Sequence, residues 1–116
     1  MYNVVISPSA NADLFNILRY IAKELENPQA ATELADKIEK CYLDLRSMPS
    51  AHALCADPLL RLKGYRKYPV GNCLVIFRVV EECSEVRVVH FFTRRRITLP
   101  FSVRRFNRYG FRDPTA

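Results

Sequence analysis

The chain has no apolar run approaching the roughly 20 residues that a membrane-spanning helix requires. Its first eight residues, Met-Tyr-Asn-Val-Val-Ile-Ser-Pro, also lack the basic leader of a secretory signal. We therefore expect a soluble, cytoplasmic protein. At 116 residues and 49% hydrophobic composition, it is long and apolar enough to form one small core without disulfide or metal staples.

Cysteine and histidine are too sparse and too far apart to indicate a metal site. The four cysteines are Cys41, Cys55, Cys73 and Cys83. They form no C-x-x-C pair, and neither His52 nor His90 has a ligand partner at metal-binding spacing. We predict free thiols, no metal ion and no cofactor.

Positive charge is scarce in the first half of the chain and abundant in the second. Residues 1–60 hold five Lys or Arg against eight Asp or Glu, a net of −3. Residues 61–116 hold thirteen against four, a net of +9. Such a division indicates either a surface directed at a polyanion such as nucleic acid, or a basic tail that only improves solubility.

Two cap-and-proline pairs predict a helical hairpin. Ser7-Pro8 and Asn27-Pro28 each combine an N-capping side chain with a proline suited to the first helical position. Apolar residues then recur at helical spacing as far as about Glu26 and Met48. Because only two or three residues separate the helices, we expect them to pack antiparallel.

The second half predicts strands. Residues 49–60 resemble a loop, and β-forming runs follow at about 63–70, 73–81 and 86–93. The short breaks predict an antiparallel meander, and Pro69 favours an edge position for its first strand. With a short strand at residues 2–6, the order is β-α-α-β-β-β. This is an α+β fold with a helical hairpin on one face of a small antiparallel sheet.

The C-terminal region differs from the rest of the chain in composition. Residues 94–116 contain seven arginines and one acid, with Phe101, Phe106, Tyr109 and Phe111 interleaved. These aromatic side chains are suited either to packing a short helix onto the body or to stacking on bases. We divide the chain into a domain at 1–97 and a basic, aromatic extension at 98–116.

Three groups of residues in this order resemble the RelE/ParE toxin superfamily of type II toxin–antitoxin modules. The first is Val5-Ile6-Ser7-Pro8-Ser9-Ala10 with Asp13-Leu14 and Tyr20-Ile21-Ala22; the second is Asn27-Pro28 with Ala30-Ala31; the third is Gly64-Tyr65-Arg66-Lys67-Tyr68 with Val70-Gly71-Asn72-Cys73-Leu74-Val75 and Val86-Arg87-Val88. The match covers about residues 2–97.

This resemblance implies a toxin that inhibits bacterial growth. RelE-like members cut messenger RNA on the ribosome without metal, whereas ParE-like members poison DNA gyrase and are not nucleases. The long helical hairpin favours the ParE-like branch. Thr93 and Ile97 depart from a common family ending, in which a His or Tyr precedes Arg-Asp, so an inactive, degenerate toxin is a further reading.

Cleavage of RNA by its own 2′-hydroxyl requires a base, an acid and cations around the phosphorane. The candidate catalytic residues are Arg66, Arg78, Arg96, Lys63 and His90. The candidate residues for binding the target or the antitoxin are Tyr65, Lys67, Tyr68, Arg94, Arg95 and Tyr109. We expect Arg66, Arg78 and Arg96 to share one basic strand face. In the structural alternatives, His90 only packs within its strand and Arg78 pairs with Glu81 or Glu82.

The resemblance also implies partners. One is a cognate antitoxin, whose acidic, amphipathic segment would lie along the helical hairpin or across the basic face. The other is the target, either the ribosome with its messenger RNA or DNA gyrase. Assembly as a homodimer, or as a heterotetramer with antitoxin, fits the same family, and no membrane partner is expected. The rival interpretation is a non-enzymatic, basic nucleic-acid-binding module.

Overall fold

The computed structural model describes residues 1–93. The first half runs β1 (Asn3–Ile6), α1 (Pro8–Arg19), a π-helical turn (Tyr20–Glu24) and α2 (Pro28–Ser47). After a short 3₁₀ turn (Pro49–Ala51) come α3 (Pro58–Leu62), β2 (Tyr65–Val70), β3 (Cys73–Val80), a second 3₁₀ turn (Glu81–Cys83) and β4 (Glu85–Thr93). The predicted order β-α-α-β-β-β is therefore confirmed, with α3 as an addition.

Both long helices begin at the predicted caps. The Ser7 hydroxyl accepts a hydrogen bond from the Ala10 backbone N–H at 3.0 Å, and the Asn27 side-chain oxygen accepts one from Ala30 at 3.1 Å. Each cap satisfies a donor that the first helical turn leaves without an intrahelical acceptor. The π-helical turn ends α1 early, and Glu26, with φ of 49°, turns the chain into α2.

The sheet has the strand order β1-β4-β3-β2. β2, β3 and β4 form the predicted antiparallel meander, and β2, which contains Pro69, lies at an edge. β1 pairs with β4 in parallel, so the sheet is mixed and the expectation of a wholly antiparallel sheet is wrong on this point. Parallel strands require a long connection, and here the elements from α1 to β3 separate β1 from β4 in the sequence.

The core lies between the helical hairpin and one face of the sheet, here called the hairpin face. Ile17, Ile38 and Leu45 from the helices pack there with Val75 and Phe77 of β3, among other buried side chains. These side chains are at most 1% exposed. Burial of this apolar surface is what stabilises the hairpin on the sheet.

A second, smaller cluster lies on the other side of the sheet, here called the open face. Cys55 and Leu60 pack there against Ile76 and Phe92. Residues 49–60, predicted as a loop, contain a 3₁₀ turn and the beginning of α3 (Pro58–Leu62). Its start is capped by Asp57, whose side chain accepts from the backbone N–H groups of Leu59 and Leu60. α3 covers only part of the open face.

No helix within the described part of the chain is long and apolar enough to span a membrane. Residues 1–93 likewise contain no group of three or more metal-ligating side chains.

Candidate functional site

One row of side chains crosses all four strands on the open face, and we call it the cross-strand row. Tyr65 of β2 is opposite Arg78 of β3, Arg78 is opposite Arg87 of β4, and Arg87 is opposite Val5 of β1. Directly opposed residues share a face of the sheet. The neighbouring residues in each strand, such as Val79 and Val86, belong to the hairpin-face core, so the row points away from the helices.

The cross-strand row places two arginines side by side in solvent. Arg78 and Arg87 are both exposed, and like charges directly opposite each other destabilise a sheet. Glu85 partly offsets this repulsion, because its Oε1 accepts a hydrogen bond from Arg87 Nε at 3.0 Å. The same contact raises the pKa of the Arg87 guanidinium. Within residues 1–93, Arg78 has no ion pair. Glu81, one of its predicted partners, instead accepts a hydrogen bond from the Tyr2 hydroxyl.

Further cations lie on or beside the open face. Lys67 is opposite Ile76, whose side chain belongs to the open-face cluster, and it is half-buried. Exposed Arg61 and Lys63 come from the end of α3, which packs on this face. Lys63 is the C-terminal cap of α3 rather than part of β2, where the sequence placed it. The open face therefore presents a positive field to solvent.

Arg66 is on the opposite side of the sheet from Arg78. It lies opposite Phe77, a core residue of the hairpin face, and its Nη1 donates to the backbone carbonyl of His52 at 2.6 Å. The expectation that Arg66 and Arg78 share one face is wrong, because successive residues in a strand alternate between faces. The Arg66 guanidinium holds the connector after α2 against β2.

Tyr68 is likewise engaged on the hairpin face. Its hydroxyl donates to the Asp44 carboxylate on α2, and its ring packs on the His52 imidazole with a centroid separation of 4.3 Å. The hydrogen bond to Asp44 is the main reason that the pKa of Tyr68 is raised to about 12. These contacts join α2, the connector and β2.

His90 is buried rather than exposed at the open face. The residue is 4% exposed, and its Nδ1 lies 3.0 Å from Oδ2 of Asp13, which is fully buried. The same carboxylate oxygen accepts from the Phe91 backbone N–H at 3.3 Å. This buried pair joins α1 to β4 next to an irregularity in the β3–β4 pairing, where Val89 has no partner in the register.

Asp13 is not among the predicted site residues, although its spacing from apolar residues of α1 indicates that it is buried. It lies three residues after Ala10 and four before Ile17, both of which are buried. That spacing places a carboxylate on the apolar stripe of α1, where it requires an internal hydrogen-bond donor.

Several predicted site residues lie outside the described residues 1–93. They are Arg94, Arg95, Arg96 and Tyr109, together with the proposed boundary between residues 97 and 98.

The outer side of the helical hairpin carries a second candidate surface, which we call the hairpin groove. It is a shallow apolar depression of about 540 Å³ between α1 and α2, lined by Phe15, Leu18, Ala22 and Ala31, among others. Phe15 is 66% exposed and adds a large apolar surface to the other apolar side chains of the groove, and contiguous exposed apolar surface is typical of interaction sites. Arg19 and Lys23 also line the groove and give it a positive border.

The family model described as the ParE toxin of the type II toxin–antitoxin system, parDE, matches residues 4–98. The chain belongs to the ParE toxin family. It is thus the toxin component of a type II toxin–antitoxin module, and a cognate antitoxin is its partner.

A solved structure of this family has the same fold. A chain of the chromosomal ParDE toxin–antitoxin system from P. aeruginosa superposes with a TM-score of 0.64 at 20% identity. The match covers 80% of this chain and 96% of that chain. No curated protein matches the sequence significantly.

Proposed function

We propose that this ParE-family toxin inhibits growth by binding DNA gyrase through the open face, without cutting RNA. The observation that carries the proposal is the exposed pair Arg78 and Arg87 in the cross-strand row. Two adjacent guanidinium groups repel each other, and an anionic partner relieves that repulsion. The half-buried Tyr65 ring beside Arg78 adds a rigid aromatic contact of the kind common in protein interfaces.

The positions of the predicted catalytic groups support a mode of action without cleavage. A general base must lie within hydrogen-bonding reach of the proton it removes. His90 is buried against Asp13, and His52 is packed on Tyr68 on the hairpin face. Neither imidazole belongs to the cross-strand row that contains the exposed Arg78 and Arg87. Arg66 is the cation that the sequence favoured for an RNA-cleaving site. Its guanidinium instead donates a hydrogen bond to the backbone carbonyl of His52.

We further propose that the cognate antitoxin lays an acidic amphipathic segment into the hairpin groove. The groove offers apolar contacts through Phe15, Leu18 and Ala22, and a positive border through Arg19 and Lys23. An amphipathic helix buries its apolar side in a groove of this type, and acidic side chains along its rim complement the two cations. This assignment leaves the open face for the target.

Expression in bacteria with separate readouts tests the target. The proposal predicts growth arrest with DNA breaks and arrested replication, while messenger RNA remains whole. The double variant Arg78→Ala/Arg87→Ala should abolish the arrest, and Lys40→Ala, which removes an exposed cation from α2, should not. Cleavage of messenger RNA that depends on translating ribosomes would contradict the gyrase proposal.

The same experiment distinguishes the other readings of the sequence. Growth that is unaffected at confirmed soluble expression indicates an inactive toxin. Growth-neutral, salt-sensitive binding to nucleic acid by the purified protein indicates a basic nucleic-acid-binding module, since phosphate contacts weaken steeply with salt.

Antitoxin docking is tested by titrating the product of the neighbouring gene into the purified toxin. Removal of a well-packed aromatic anchor typically costs about 2 kcal/mol of binding, which corresponds to roughly 30-fold in Kd. We expect a loss of this order for Phe15→Ser. The matched control is Leu43→Ser, which removes a similarly exposed apolar side chain from α2 outside the groove. Equal affinity for the wild type and Phe15→Ser would remove the groove from the interface.

A further inference from the structure

A separate apolar groove lies at the end of the helical hairpin, beside the turn between β2 and β3. We call it the hairpin-end groove. It encloses about 300 Å³, and its apolar lining includes Ile17, Ile21, Leu25 and Leu34. Leu25 is 49% exposed although it continues the apolar stripe of α1. Neither the family assignment nor the proposed gyrase contact uses this groove.

We propose that the chain's own residues 99–111 occupy the hairpin-end groove and insert aromatic side chains into it. The described chain ends at the groove itself, since Thr93, the last residue of β4, is part of the lining. Phe101, the first aromatic residue that follows, is eight positions further on. Eight residues span at most roughly 29 Å when fully extended, so the segment has ample length to return to the groove.

The composition of the segment is complementary to the groove. Residues 99–111 include Phe101, Phe106, Tyr109 and Phe111, and a buried aromatic ring removes more apolar surface from water than most other side chains do. The same stretch holds Arg104, Arg105 and Arg108 and no acid. The lining itself contains one carboxylate and one cation, Glu33 and Lys37, and the exposed Glu24 and Glu26 flank Leu25 in sequence, so carboxylates outnumber cations at this end of the hairpin.

The proposed occupant lies beyond the part of the chain that the family model matches. The ParE family match ends at residue 98. The superposition with the P. aeruginosa structure covers 96% of that chain but 80% of this one. The segment therefore follows the family-matched domain in sequence, six residues after Thr93, which lines an apolar groove that residues 1–93 leave uncovered. Seating the segment in the groove buries both apolar surfaces and places its arginines at the end of the hairpin.

Nuclear magnetic resonance on the full chain tests the proposal directly. With labelled isoleucine and leucine methyl groups, we expect nuclear Overhauser contacts from the rings of Phe101, Phe106, Tyr109 or Phe111 to the methyl groups of Ile21, Leu25 and Leu34. Absence of any such contact, with the rings at the chemical shifts of an unfolded peptide, would overturn the proposal. Contacts that appear only between differently labelled copies would assign the groove to a second copy and overturn it as well.

Substitutions in the full chain provide a second readout. Replacing the three phenylalanines of the segment by serine should shift the methyl resonances of Ile21 and Leu34 and increase their exposure to a soluble paramagnetic probe. Phe15→Ser, in the separate hairpin groove, serves as the matched control and should leave those resonances unchanged. Identical methyl spectra for the triple variant and the wild type would contradict the proposal.

Discussion

The two faces of the sheet carry different kinds of side chain. On the hairpin face, polar groups such as Asp13, Tyr68 and Arg66 are each tied to a partner on another element. On the open face, Arg78 and Arg87 are exposed next to each other, and the ion pair of Arg87 is with Glu85 of its own strand. The hairpin face is organised by folding, whereas the open face retains an arrangement that costs stability. We therefore expect substitutions of these hairpin-face groups to lower stability, and substitutions of the two open-face arginines to alter function.

The largest loss of stability is expected for Asp13→Ala. The substitution removes the acceptor shared by His90 and the Phe91 N–H between α1 and β4, and breaking a buried polar pair typically costs about 3 kcal/mol. Urea unfolding measures the change. Asp36→Ala, an exposed carboxylate on α2, should alter stability by less than about 0.5 kcal/mol. A change for Asp13→Ala no larger than this control would show that the pair is not structural.

A smaller loss is expected for Arg66→Ala. The guanidinium donates to a backbone carbonyl in a half-buried setting, so its removal should cost about 1 kcal/mol. The same unfolding measurement applies, with exposed Arg61→Ala on α3 as the control. Growth inhibition per folded molecule should persist in Arg66→Ala. If Arg66→Ala were as stable as the wild type but not toxic, Arg66 would belong to the functional surface, and the contrast between the hairpin face and the open face would not hold.

The contact between Tyr68 and Asp44 predicts a dependence on pH. Because the pKa of Tyr68 is raised to about 12, the folded state favours the neutral phenol. The contribution to stability is fully present below the usual tyrosine pKa of about 10 and is lost as the pH rises through about 12. In an ultraviolet titration, Asp44→Asn should lower the pKa of one tyrosine toward 10, and Tyr68→Phe should remove that titration. Identical curves for the wild type and Asp44→Asn would disprove the effect.

The sequence predicted the hairpin face better than the open face, for identifiable reasons. The caps at Ser7 and Asn27 and the apolar stripes determined the helices, because local signals suffice there. Asp57-Pro58 carries the same cap-and-proline signal, but a five-residue helix is too short to show periodicity, so α3 was predicted as loop. The parallel pairing of β1 depends on contacts distant in sequence and has no local signal.

The register between β2 and β3, which separates Arg66 from Arg78, follows from the turn between the two strands. A two-residue turn at Gly71-Asn72 pairs Val70 with Cys73, and counting back from there places Arg66 opposite Phe77 and Tyr65 opposite Arg78. The predicted turn therefore already contained the register. The irregularity at Val89 shifts the register of β4 against β3, and no local feature of the sequence predicts this shift. The burial of His90 agrees with the packing alternative rather than with an exposed catalytic role, and its partner Asp13 is 77 positions away in the sequence.

The smallest change in stability is expected on the open face. Arg78→Ala removes an exposed cation that directly faces another, so the free energy of unfolding should change by at most about 0.5 kcal/mol, in the direction of a slight gain. Denaturant unfolding of the wild type and Arg78→Ala measures this difference. A loss above about 1.5 kcal/mol would mean that the open-face arginine supports the fold rather than a partner.

Binding of the purified toxin to purified DNA gyrase tests the central claim most directly, when it is measured on variants whose unfolding free energies are also known. The account predicts that Arg78→Ala/Arg87→Ala loses roughly tenfold or more in affinity, about 1.4 kcal/mol, while its stability stays near that of the wild type. Lys40→Ala should bind as the wild type does. Full gyrase affinity in the double variant, or no binding by the wild type, would contradict the assignment of the open face to the target.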